Sequence, residues 1–136
     1  MIKAVFFDFG GVIADEGWEN GLREIADKQG FEPEQFFVDA CDVLWDTGYM
    51  YGRATEDEFW EKFGERYSFK MSIDAMRQVI FDRFTIRPEA IELINKIRET
   101  DYRLAILSDQ VNWLDEFNKQ HGFFNLFEKV YNSYHL

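Results

Sequence analysis

The sequence predicts an α/β protein: an incomplete parallel sheet of about three strands, with an α-helical segment inserted after the first strand. Three observations carry this expectation. A short apolar run near the N-terminus stops on two glycines, the stretch from Asp15 to Thr85 repeats apolar residues at helical spacing, and strand and helix signals alternate from Pro88 onward.

Lys3 to Phe9 (KAVFFDF) is too short for a helix, is rich in Phe and Val, and is closed by Gly10-Gly11, so it reads as a strand. Its apolar residues fall on both faces, the pattern of a strand covered on each side of a parallel sheet. Four helices follow. Trp18, Leu22, Ile25 and Ala26 mark the first. Phe36, Phe37, Ala40, Val43 and Leu44 mark the second, with Pro33 in its first turn. Thr55 and Glu58 make a capping box ahead of Phe59, Trp60 and Phe63. Ser72 precedes Ile73, Met76, Val79 and Ile80 in the fourth. These aromatic and Met stripes are core-packing faces.

Ala90, Ile91, Ile94 and Ile97 then give an amphipathic helix, Tyr102 to Ser108 (YRLAILS) a strand, Asn112 to Gln120 a short helix, and Lys129 to Ser133 (KVYNS) a last strand. The expected organisation is a core of residues 1–14 and 86–136 around an insertion of residues 15–85. Strand–helix–strand repetition implies parallel pairing.

The 136 residues carry a net charge of −11, which argues against nucleic acid and anionic membrane as partners, since both need clustered Lys and Arg. With 46% hydrophobic residues and 15 Phe the chain has ample material for a core. Cys41 stands alone, so no internal disulfide forms, and it is expected to be a small core residue in a reducing compartment. Asp8 interrupts the apolar N-terminal stretch, which removes it as a signal peptide, and no run is long enough to cross a bilayer. A cytoplasmic location is expected.

Asp8 and Ser108 are the residues with chemistry to offer. Asp8 lies where an apolar strand meets two glycines, and ligands of open parallel sheets bind at the carboxyl ends of strands. A carboxylate there can attack phosphorus and form an acyl phosphate; equally, Asp caps helices and turns chains. Gly10 and Gly11 allow a sharp turn at positive φ. Ser108 ends the strand LAILS and precedes Asp109; its hydroxyl can donate to a phosphate oxygen or cap the next helix.

Taken together, VFFDFGGVI and LAILSD, separated by helices, resemble motifs one and two of the haloacid dehalogenase superfamily, closest to its phosphatase-like branch. GYMYGRATEDEFWEKF resembles that branch's α-helical cap, and VYNSYHL resembles the stretch leading into motif three. The resemblance spans the whole chain and implies a Rossmann-like core with a helical cap. It implies that Asp8 is the nucleophile and a magnesium ligand, that Gly10 lends its backbone carbonyl to the metal, and that Ser108 holds a phosphate oxygen. The role of Asp109, where the family often has Asn, stays open. Gly10 stands where most phosphatases of the superfamily carry an acid/base Asp, so leaving-group protonation has no assigned residue.

The family's motif-three Lys and motif-four acids would follow Leu136. Lys129 precedes the expected position and reads as a solvated strand-end charge, while Asp15 and Glu16, the nearest substitutes as metal ligands, open the cap. Removing one charge-stabilising group typically lowers a rate by about 10²–10³, so these 136 residues alone are expected to turn over negligibly. The implied substrate is a small phosphorylated metabolite. The first strand, lacking its motif-four neighbour, is expected to expose an edge that pairs with another copy. The competing expectation is a non-catalytic interaction protein using that edge or the cap. A dehalogenase fits motif one less well, a receiver-type phosphoacceptor would lack the long helical insertion, and a dinucleotide site lacks GxGxxG.

Overall fold

The computed structural model describes residues 1–136. Its elements are β1 (Ala4–Phe7), α1 (Gly17–Gln29), α2 (Pro33–Thr47), α3 (Glu56–Gly64), α4 (Ile73–Arg83), α5 (Pro88–Arg98), β2 (Arg103–Ser108), α6 (Trp113–His121) and β3 (Lys129–Asn132). All three strands are parallel, in the order β1-β2-β3. The fold is the expected α/β class. Two compact units divide it: Met1–Asp15 with Ile86–Leu136, and Glu16–Thr85. No helix is long and apolar enough to cross a membrane.

In the first unit, the register pairs Phe7 with Ile106 and Ser108 with Asn132. Side chains alternate across a strand. Phe7, Leu104 and Ile106 therefore share one face, and all are buried. Phe7 meets Phe127 edge-on at 6.0 Å between ring centroids. Just past β1, Phe9 stacks between Phe117 of α6 and Phe123, at 5.4 and 5.3 Å. Such ring pairs add about 0.5–1.5 kcal/mol each beyond their buried area. The opposite face is bare: Phe6 is 56% exposed and Leu107 55%, and Tyr131 is only partly covered. A groove of about 210 Å³ runs over it, lined by Ala4, Phe6, Arg103, Ala105, Lys129 and Tyr131. β1 lies at the sheet's edge.

In the helical unit, α1 packs on α4 and α2. The α1–α4 approach is close because α1 carries glycines on that face. A Cβ on Gly21 would sit 2.7 Å from the Ile80 backbone, and one on Gly17 would sit 2.1 Å from the Phe84 ring. The center of the unit is aromatic, with Phe36, Phe59, Trp60 and Phe63 all buried and in ring contact with one another or with Tyr67 and Phe69. The Thr55–Glu58 capping box forms as read from the sequence. Two further caps are glutamates: Glu16 accepts from the amides of Trp18 and Glu19, and Glu32 from those of Glu34 and Gln35.

Several details depart from the sequence reading. β1 ends at Phe7, two residues early, because the Phe9 carbonyl accepts the amides of Val12, Ile13 and Ala14 and curls the chain out of the sheet. Positive φ occurs at Gly11 (79°) and not at Gly10. β3 stops at Asn132, where a 3-10 turn begins. Cys41 is only half-buried rather than a core residue. Its burial raises its pKa, so the thiol is held protonated and away from nucleophilic chemistry.

Candidate active site

The candidate residues lie where the strands end at their carboxyl side. Phe7, the last residue of β1, pairs with Ile106, so Asp8 just past β1 and Ser108 at the end of β2 lie at the same end of the sheet. Asn132 is the register partner of Ser108 on the other side.

Asp8 is exposed at the first position of the loop leaving β1. One carboxylate oxygen, Oδ1, accepts the Phe9 amide at 2.7 Å, which fixes the side chain's orientation and leaves the second oxygen outside that bond. The Gly11 amide donates to the Ala14 carbonyl at 2.7 Å. In a planar trans peptide N–H and C=O point opposite ways, so the Gly10 carbonyl faces away from the curl of the loop. The two oxygens named from the sequence, on Asp8 and Gly10, thus fall within three consecutive residues.

Ser108 is the most informative group. Only 5% of it is exposed, and its Oγ is buried without a hydrogen-bond partner. A buried hydroxyl in that state costs about 1–3 kcal/mol, and unsatisfied buried polar groups are few in native proteins. It does not cap α6, whose N-cap residue is Asn112. Asp109 is exposed beside it.

Sequence reasoning missed two residues. Asn132, 2% exposed, donates from Nδ2 to the Val111 carbonyl and accepts from the Gln110 amide, so it ties down the loop that follows Ser108. The sequence signal was an Asn at a predicted strand end, where solvation is the ordinary reading. Arg87 holds the other loop. Its Nε donates to Asp15 at 2.8 Å, its Nη1 to the Gly11 carbonyl at 2.7 Å and its amide to the Ile13 carbonyl at 2.8 Å. The Arg-Pro pair at the start of α5 was its only mark. Asp15 is therefore an ion-pair partner and Glu16 a helix cap. Lys129 is exposed at the opposite end of the sheet, where β3 begins.

Asp8 and the Gly10 carbonyl are hard oxygen donors of the kind magnesium takes, and magnesium draws few ligands from protein. The donors fit in kind, though no group of three or more His, Cys, Asp or Glu side chains converges anywhere in the chain.

A family model described as hydrolase, haloacid dehalogenase-like hydrolase, matches residues 2–136. No curated protein matches the chain. Among solved structures, a HAD family enzyme of Bacteroides thetaiotaomicron is similar at 24% identity and a TM-score of 0.70, over 98% of this chain and 69% of that one. The same enzyme is known in complex with magnesium and inorganic phosphate. A HAD-like family hydrolase of Porphyromonas gingivalis reaches 0.74 at 20% identity, over 98% and 67%. The L-2-haloacid dehalogenase of Xanthobacter autotrophicus reaches 0.60 at 16% identity, over 97% and 57%. At these identities the likeness establishes the fold.

Proposed function

Because the chain belongs to the haloacid dehalogenase-like hydrolases, we propose that it carries the aspartate nucleophile of a magnesium-dependent phosphatase site acting on a small phosphorylated metabolite. The observation that carries the reading is the buried, unpartnered Ser108 hydroxyl at the end of β2, the strand that pairs with β1. A buried donor with no protein partner suits a strong acceptor, and a phosphoryl oxygen is one. A haloacid carboxylate is also an acceptor, but the sequence around Asp8 resembles the phosphatase-like branch.

In this reading the Asp8 carboxylate attacks phosphorus, the P–O bond to the leaving group breaks, and an aspartyl phosphate forms. Ser108 Oγ donates to an equatorial oxygen and orients the group. The Phe9 amide holds the carboxylate for attack from its other oxygen. Bound through Asp8 and the Gly10 carbonyl, magnesium would neutralise charge on the phosphoryl oxygens. The Bacteroides enzyme's complex with magnesium and phosphate supports that assignment.

Incubation with magnesium and an acyl phosphate separates phosphoryl acceptance from turnover. The wild-type chain is expected to gain one phosphoryl group on the peptide containing Asp8, seen by mass spectrometry, and Asp8→Asn none. A wild-type chain that stays unmodified, or one modified elsewhere, would overturn the reading.

A further inference from the structure

The loop from Phe9 to Asp15 makes most of its hydrogen bonds to itself. The Phe9 carbonyl collects three amides and the Gly11 amide closes on Ala14. Three of the acceptors it leaves over are the carbonyls of Gly11 and Ile13 and the carboxylate of Asp15. Arg87 takes all three. It does so from a fixed base. Arg87 is the N-cap residue of α5, its φ/ψ of −87° and 114° is extended, Pro88 follows it, and its carbonyl accepts the amides of Ala90 and Ile91. The backbone is therefore pinned by the helix start while the guanidinium reaches back to the loop. A planar fork with several donors spans two acceptors at once, which an ammonium cannot do.

We propose that Arg87 is the positioning residue of the Asp8 site: by holding Gly11 and Asp15 it fixes the turn that presents the Asp8 carboxylate and the Gly10 carbonyl. The inference rests on the proposed phosphatase reading for its chemical consequence. Its structural half, that Arg87 holds the turn, stands on geometry alone. Arg87 touches neither nucleophile nor phosphate, so it acts through the loop. The grip is local, because the loop's internal bonds to the Phe9 carbonyl do not involve it. Removing the side chain should thus loosen the turn without unfolding the sheet.

The test compares wild type, Arg87→Gln, Arg87→Lys and Asp15→Asn in the full chain. Amide hydrogen exchange of Val12, Ile13 and Ala14 is measured without ligand, with β2 and α6 amides as internal controls. Two charge-assisted hydrogen bonds are lost in Arg87→Gln, so exchange at the loop should rise by about ten- to a hundredfold while the controls hold. Arg87→Lys should recover part of the protection, and Asp15→Asn should sit between it and wild type. Binding of magnesium with beryllium trifluoride, a mimic of the aspartyl phosphate, should weaken in the same order. Unchanged loop exchange in Arg87→Gln overturns the proposal, as does loosened exchange with undiminished binding of the mimic. Should wild type bind no mimic, the phosphatase reading fails and takes the chemical role of Arg87 with it, while the exchange arm still reports who holds the turn. Loss of protection throughout β2 and α6 would show Arg87 to be a general stability residue, again against the proposal.

Discussion

Replacing Ser108 by alanine should make the protein more stable. The hydroxyl is buried and has no partner, so the folded state bears its desolvation, about 1–3 kcal/mol. Deleting one oxygen leaves a void on the order of 15 Å³, which at about 24 cal/mol per Å³ costs about 0.4 kcal/mol. The balance is a gain of about 1–2 kcal/mol. In urea, with a slope of about 2 kcal/mol per molar for a chain of this size, the midpoint should move up by about 0.5–1 M at constant slope. Circular dichroism on the full chain reads this directly. The second half of the experiment adds magnesium and inorganic phosphate. A ligand at ten times its Kd stabilises by about 1.4 kcal/mol, and wild type should gain that while Ser108→Ala gains clearly less. A midpoint that falls or stays put in the variant would refute the reasoning, since it would mean that the hydroxyl already has a partner. Stabilisation with equal phosphate gains in both proteins would uphold the energetics and remove Ser108 from phosphate binding.

Tyr67 donates its hydroxyl to Asp39 at 2.5 Å. Desolvation, then Asp39, pushes its pKa up to about 12 from 10. A raised folded pKa means the unfolded chain releases its proton first as pH rises. The contribution is therefore complete below pH 10 and is lost between pH 10 and about 12. Tyr67→Phe should lower stability at pH 8 and flatten the loss across that window, as equilibrium unfolding at several pH values would show; an unaltered alkaline slope would remove Tyr67 from the account. The bare apolar sheet face and the β1 edge lead us to propose self-association of the isolated chain. Light scattering at micromolar concentration should exceed the monomer value, and Phe6→Glu should bring it down; a monomeric wild type would refute this.

Elements whose signal is periodic were legible in the sequence. All six helices and three strands come from apolar spacing, and the capping box at Thr55 from two residues of fixed chemistry. Asp8 and Ser108 were legible because a polar residue at the end of an apolar strand is conspicuous. That their two strands are neighbours needed the β1–β2 register. What could not be read depends on tertiary partners. Glu16 and Glu32 cap helices although Glu is not among the favoured N-cap residues. Arg87 acquires its importance only from where the Gly11 carbonyl and Asp15 happen to point. The bare face was hidden for a related reason. Phe6, Leu107 and Tyr131 look like core residues in one dimension, and only the packed arrangement leaves them uncovered.

The contact of Gly17 with Phe84 has a consequence for how the chain assembles. β1 and β2 must find each other across about a hundred positions, an encounter that is slow because the ordering entropy precedes any reward. The helical unit is continuous in sequence and needs no distant strand. Once it has formed, the start of its first helix and the residue after its last are within touching distance. The remaining search is that of a short tether. During synthesis the insertion can be complete before β2 leaves the ribosome, so β1 and β2 then meet as segments already brought near each other.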